Sequence, residues 1–171
     1  MDMHVISANE LQVNGKIYAC AIGKGGFIHA SEKREGDGKT PLGSYHLREC
    51  WYRPDKLDKP ITALHARAIA PNDGWCDAPD HARYNQHVSL PFDASHERLW
   101  LDADDVYDLI IPLGYNDAPV MAGKGSAIFL HVAKPDYSPT EGCVAIAKSD
   151  LWALIPELSP QSSIIISPAD R

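Results

Sequence analysis

No apolar run in this chain approaches the ~20 residues that a bilayer-crossing helix needs. The longest, Ser126 to Val132 and Ser163 to Ser167, are strand-sized, so a membrane span is not expected. Basic clusters are missing as well. With 16 Lys and Arg against 23 Asp and Glu the net charge is −7, and no Lys/Arg run is dense enough to follow a phosphate backbone, which excludes nucleic acid as a partner. Cysteine is sparse and nowhere spaced C-x-x-C. If Cys143 stays free, Cys20, Cys50 and Cys76 allow at most one disulfide, and buried reduced thiols are the expectation for these three.

Motifs for bound groups are also wanting. Gly38-Lys39-Thr40 has Lys33 where a phosphate loop needs its first glycine, and Gly23 to Gly26 lacks the G-x-G-x-x-G pattern. The histidines include no H-E-x-x-H: His96-Glu97 is followed by Trp100 where a second ligand would stand. His81 and His87, near Cys76, Asp77 and Asp80, match no common zinc spacing. Neither metal nor cofactor is expected. Met1 to Glu10 has no basic start and no apolar core, so no secretory signal is read there.

What is present is ordinary globular composition, 44% apolar and 23% charged, in 171 residues. That fits one domain over 1–171, of a size that buries roughly 70% of its unfolded surface. Alternation and β-branched content predict strands at Met3 to Ser7, Gln12 to Ile22, Gly43 to Cys50, Leu109 to Gly114, Ala127 to Val132 and Ser163 to Ser167, a mostly-β fold. A helix is predicted from Ser149 as N-cap towards Leu158, and a second over Ala94 to Leu101. The polar stretch Ala70 to Ser89 is too long for a simple connection and reads as an ordered, packed loop. Within it Trp75, Tyr84 and Asn85 are candidates for a wall or lid over a polar ligand.

The chemistry concentrates near the C-terminus. His131 lies in a strand pattern with Phe129, Leu130 and Val132, and the turn Pro139-Thr140-Glu141-Gly142 can fold Cys143 back towards it. A free thiol has a pKa of about 8.5 and needs a base or a positive field to become nucleophilic at neutral pH. His131 supplies the base, and the backbone amides of Gly142 and Cys143 are the candidate oxyanion donors.

These residues resemble a known active-site signature. Ile128-Phe129-Leu130-His131 followed by Thr140-Glu141-Gly142-Cys143-Val144 is similar to that of the L,D-transpeptidase catalytic domain, the YkuD-like family. Gly36-Asp37-Gly38-Lys39-Thr40-Pro41-Leu42-Gly43-Ser44-Tyr45 resembles the family's upstream block. The resemblance runs from about Val5 to the last strand. It implies a β-sandwich of mixed sheets with a few short helices, no cofactor, and cysteine-based acyl transfer on peptidoglycan stem peptides. Cys143 would attack, D-alanine would leave, and an amine would resolve the thioester. The alternatives are a carboxypeptidase or peptidase using water as acceptor, and a non-catalytic peptidoglycan-binding module.

Two positions depart from the family pattern. Glu141 and Ala145 stand where many members carry histidine and arginine, so an anchor for a substrate carboxylate is missing. Glu141 would raise the thiol pKa if it faced the sulfur. Thr140, Glu141, Asp136 and Tyr137 are the candidate rim contacts. By resemblance the location is the periplasm or cell envelope; the bare N-terminus makes cytoplasm the alternative.

Overall fold

The computed structural model describes residues 1–169; the last two positions of the expected 1–171 domain lie outside the described residues. The strands are β1 (Met3–Ser7), β2 (Glu10–Val13), β3 (Lys16–Ala21), β4 (Phe27–Ile28), β5 (Thr40–Pro41), β6 (Gly43–His46), β7 (Glu49–Tyr52) and β8 (His65–Ala68). They continue with β9 (Asp73–Cys76), β10 (His87–Ser89), β11 (His96–Arg98), β12 (Leu109–Pro112), β13 (Phe129–Val132), β14 (Val144–Ile146) and, after helix α1 (Lys148–Leu154), β15 (Ser163–Ile166). The fold is mostly β, as expected.

Ten strands form one mixed sheet in the order β6-β15-β1-β2-β3-β14-β13-β12-β7-β8. Met3, Val5, Leu11 and Val13 from one half meet Leu109, Ile111, Leu130, Val132, Val144 and Ile146 from the other in a single core, so the sheet folds over on itself. Helix α1 adds Leu151 and Leu154 to that core. The second half has another buried face, where Trp51, Ile110, Phe129 and Cys143 pack with Leu99 and Tyr107. Over this face lies a three-stranded sheet, β10-β9-β11, with Trp75 edge-on to Phe129 at 5.1 Å between centroids.

Strand alternation therefore decides which residues of β13 serve the core and which the site. Leu130 and Val132 point into the sandwich, while Phe129 and His131 face the other way. The parallel pairing Leu130↔Val144 and His131↔Ala145 puts Cys143, two residues before Ala145, on the same face as His131.

The differences from the sequence expectations have local causes. Gln12 to Ile22 is two strands, because Asn14 (φ 48°) and Gly15 (φ 80°) make a two-residue hairpin turn of the type that suits strand twist. Gly43 to Cys50 breaks at Leu47, where the chain passes from pairing with β15 to pairing with β12. Ala94 to Leu101 is not helical: His96, Glu97 and Arg98 pair with Cys76, Trp75 and Gly74 as β11, tertiary pairing overriding local propensity. Ser149 lies inside α1 rather than capping it; Ala147 holds the cap position and makes no side-chain cap. The long segment Ala70 to Ser89 is ordered, and within it β9 and β10 flank the turns of 77–86.

Candidate active site

A cleft of about 680 Å³ opens between β13, β14 and the three-stranded sheet, and its walls include Cys143, His131, Gly142, Thr140, Glu141, Glu97 and Tyr107. The sulfur sits at its floor. Cys143 Sγ accepts from the Phe129 N–H at 3.4 Å and donates to the Ala127 carbonyl at 3.2 Å. Ala127 holds a φ of 52°, a left-handed conformation disfavoured for any residue with a Cβ, and Asn85 Oδ1 accepts its N–H at 2.9 Å. A strained peptide, pinned by one amide side chain, thus presents its carbonyl to the thiol.

His131 is buried, with the Tyr107 ring edge-on at 5.4 Å between centroids. Its Nδ1 lies 2.9 Å from the Val132 carbonyl, which can only accept, so Nδ1 carries the proton and Nε2 keeps its lone pair. That is the tautomer a general base requires. Burial lowers its pKa to about 4, offset in part by the Val132 carbonyl, and burial raises the Cys143 thiol to about 12, with Glu97 adding to the rise. The resting pair is neutral imidazole and neutral thiol. In this state the S–H is aimed at Ala127.

The Gly-Cys turn is held by two threonines. Thr40, fully buried, donates to the Gly142 carbonyl at 2.8 Å and accepts from the Gly23 N–H at 2.8 Å. This is the physical link between the upstream Asp-Gly-Lys-Thr-Pro block and the Gly142-Cys143 turn. Thr140 Oγ1 donates to the Cys143 carbonyl at 2.7 Å and accepts from the Gly142 N–H at 3.1 Å. Gly142 has a φ of 144°, and a Cβ there would stand 2.9 Å from the Lys39 carbonyl, so only glycine fits.

The remaining sequence-predicted residues divide. Thr140 and Glu141 line the cleft. Glu141 turns to solvent, its carboxylate 2.9 Å from Lys24, and does not act on the thiol. Trp75, Tyr84 and Asn85 are absent from the cleft wall and brace it from behind. Trp75 donates to Asn85 Oδ1, and Tyr84 donates to Glu35 and accepts from the Gly125 N–H. Asp136 and Tyr137 lie outside the cleft too, Asp136 on a neighbouring shallow depression. Cys20, Cys50 and Cys76 are free and buried.

Sequence reasoning missed Glu97 and Tyr107. Tyr107 is buried, and its hydroxyl donates to Glu97 Oε1 at 2.8 Å. Nothing local marks either residue: Glu97 was weighed only as part of a failed metal motif, and it reaches the site through β11 pairing with β9. Among the described residues no group of three or more His, Cys, Asp or Glu is placed to hold a metal ion, and no helix is long and apolar enough to cross a membrane.

Residues 4–166 match the L,D-transpeptidase catalytic domain family, YkuD, and the chain belongs to it. No curated protein matches. A solved structure, that of Bdellovibrio bacteriovorus Bd1075, is similar at 18% identity and a TM-score of 0.47, over 96% of this chain and 46% of that one. The chain therefore spans less than half of that protein's length.

Proposed function

We propose that the protein is a cysteine-dependent L,D-transpeptidase acting on peptidoglycan stem peptides in the cell envelope. The observation that carries this reading is the shared cleft: Cys143 and His131 on one sheet face, with the imidazole in the tautomer that leaves Nε2 free. Because both groups rest neutral, the thiol does not wait as a thiolate. Sγ turns from Ala127 and attacks the stem carbonyl while its proton passes to His131 Nε2.

The tetrahedral oxyanion is held by the Cys143 N–H, joined by the Gly142 N–H once it leaves Thr140. Collapse breaks the amide bond; the D-alanine nitrogen takes the proton from His131, and a thioester remains on Sγ. An incoming amine then attacks the thioester and gives its proton to His131, which returns it to Sγ as the C–S bond breaks, restoring the thiol and the neutral imidazole. Water in place of the amine makes the same acyl-enzyme a carboxypeptidase intermediate.

The test is intact-protein mass after incubation with a tetrapeptide stem. A wild-type adduct equal to the stem acyl group without D-alanine, absent in Cys143→Ala, supports the reading. Absence of any adduct in the wild type, with stem peptide or with a thiol-acylating β-lactam, overturns it. Product analysis with and without an added amine separates transfer from hydrolysis.

A further inference from the structure

The side chain of Asn85 has no spare hydrogen-bonding capacity. Its Oδ1 accepts from the Trp75 indole at 3.0 Å and from the Ala127 N–H at 2.9 Å, and its Nδ2 donates to the Tyr115 and Asn116 carbonyls at 3.1 and 2.8 Å. Two acceptor lone pairs and two N–H bonds are all that an amide possesses. The residue is buried behind the cleft wall and joins three stretches of chain: β9, the turn after β12 and the approach to β13.

The backbone it grips at 127 is unusual for its residue type. Of the non-glycine residues at positive φ, Asn14, Asn85 and Asn116 are of a kind that tolerates the left-handed region, and Tyr137 closes the turn back to the Lys134 carbonyl. Ala127 has no such excuse, and it lies on the buried face with the sulfur. Asn85 fixes the peptide plane on the N-terminal side of Ala127, and φ then sets where the carbonyl on the other side points. That carbonyl receives the Cys143 S–H at 3.2 Å, while the Phe129 N–H donates to Sγ at 3.4 Å. At the negative φ ordinary for alanine the carbonyl would point elsewhere and the S–H would lose its acceptor. Tyr84, next to Asn85, accepts the Gly125 N–H and donates to Glu35, so it ties the same run of chain without touching Ala127.

From this geometry we infer that Asn85 is a positioning residue for the nucleophile: acting through the Ala127 peptide, it keeps the thiol proton on the Ala127 carbonyl rather than on His131 at rest, and fixes the place from which Sγ attacks. A thiol has one proton to donate. Its hydrogen bond favours the neutral form over the thiolate, so the sulfur stays protonated until the proton passes to His131 Nε2 as the bond from Sγ to the stem carbonyl forms. The inference rests on the acyl-transfer reading for the attack, but not for the state of the resting thiol.

Wild type supplies the first test. The infrared S–H stretch of Cys143, assigned by its loss in Cys143→Ala, is expected below the frequency of an unbonded alkyl thiol; a band at the unbonded frequency overturns the inference whether or not a variant at Asn85 folds. Asn85→Ala is expected to move the band to the unbonded frequency. Iodoacetamide reads the same change: an S–C bond forms, iodide leaves and the thiol proton goes to buffer. A thiol made tenfold more ionised gives a thiolate about threefold less nucleophilic, so alkylation at Cys143, located by peptide mapping, is expected to be about threefold faster in Asn85→Ala. Adding Ala127→Gly is expected to return both readings towards wild type, because glycine holds the left-handed conformation without a grip. Tyr84→Phe loosens the same run and is expected to move neither. Equal changes in Tyr84→Phe, or no rescue by Ala127→Gly, make Asn85 a merely structural residue and overturn the inference.

With a stem peptide, Asn85→Ala is expected to acylate about tenfold more slowly in kcat with KM unchanged, opposite in direction to the alkylation, because ionisation has risen while placement is lost. An unchanged kcat overturns the inference. The expected infrared and alkylation changes, with no acyl-enzyme from any peptide in wild type, keep the positioned thiol and remove the transpeptidase reading. Acyl-enzyme in a wild type whose Cys143 band is unbonded does the reverse.

Discussion

Asp108, fully buried, and Glu97, half-buried, are carboxylates tied to adjoining residues, since Glu97 accepts from the hydroxyl of Tyr107, and they are treated in opposite ways. Asp108 is fully buried, with Lys56 at 3.0 Å on one oxygen and Lys148 at 2.8 Å on the other. It ties the loop after β7 to the start of α1, and its charge is answered on both sides. Glu97 is given one hydroxyl and no cation. Desolvation raises its pKa, and the Tyr107 hydrogen bond only partly offsets this. A fully buried charge is neutralised within the fold, whereas a half-buried one on the cleft wall keeps enough contact with water to stand with a hydroxyl alone.

This contrast can be broken in several places. The largest effect expected is at the site itself: His131→Ala, which removes the proposed base, is expected to lower kcat about 10³-fold while leaving the far-UV circular dichroism unchanged. Asp108→Asn comes next. It leaves two lysines, each partly solvated, without their shared anion and is expected to cost about 3 kcal/mol of unfolding free energy by urea titration. A loss of under about 1 kcal/mol would show that Asp108 is no more structural than Glu97.

A pH series gives a third comparison of similar size. His131 has a folded-state pKa of about 4 against an ordinary 6.5, so the unfolded chain binds the proton first as pH falls. Stability contributed by the neutral ring is complete above 6.5 and is lost between 6.5 and 4, amounting to about 3 kcal/mol, and His131→Asn should remove this component of the slope. The acid limb of kcat/KM should likewise fall near pH 4 rather than near 6.5, because protonated Nε2 cannot accept the thiol proton.

Gly142→Ala is smaller in stability, about 2 kcal/mol, from the positive φ and the contact with the Lys39 carbonyl, and it should slow acylation because the turn that carries the sulfur shifts. Smallest in stability is Glu97→Gln. Gln keeps an acceptor for Tyr107 and removes a desolvated charge, so the change at pH 7 should be neutral to stabilising, within about 1 kcal/mol by urea titration. Marked destabilisation here would place Glu97 with Asp108 as a structural carboxylate.

The mostly-β class of the fold was legible beforehand, and so was the set of residues that meet at the centre of the cleft. The alternating patterns of β1 and β15 carry their own evidence, because a half-buried strand writes its burial into every second residue, and β12 and β13, buried on both faces, read as short apolar runs. Cys143, His131 and Gly142 were legible because a motif concentrates them within a short span. The β9-β10-β11 sheet was not, since Asp73-Gly74-Trp75-Cys76, His87-Val88-Ser89 and His96-Glu97-Arg98 are largely polar and carry a single β-branched residue, Val88, between them. Trp75, Tyr84 and Asn85 looked like lid residues by type; the fold uses them to hold the strained peptide beneath the sulfur.

What the chain's residues determined unaided was local: which segments are extended, where only glycine can turn, and that a thiol and an imidazole lie one strand apart. Strand periodicity and backbone sterics act between near neighbours, so they survive being read along a line. Which face of β13 meets the core, which way Glu141 points, and which carboxylate stands opposite the thiol were decided only by packing. Each depends on partners tens of residues away, and an electrostatic environment exists only once those partners have displaced the water between them.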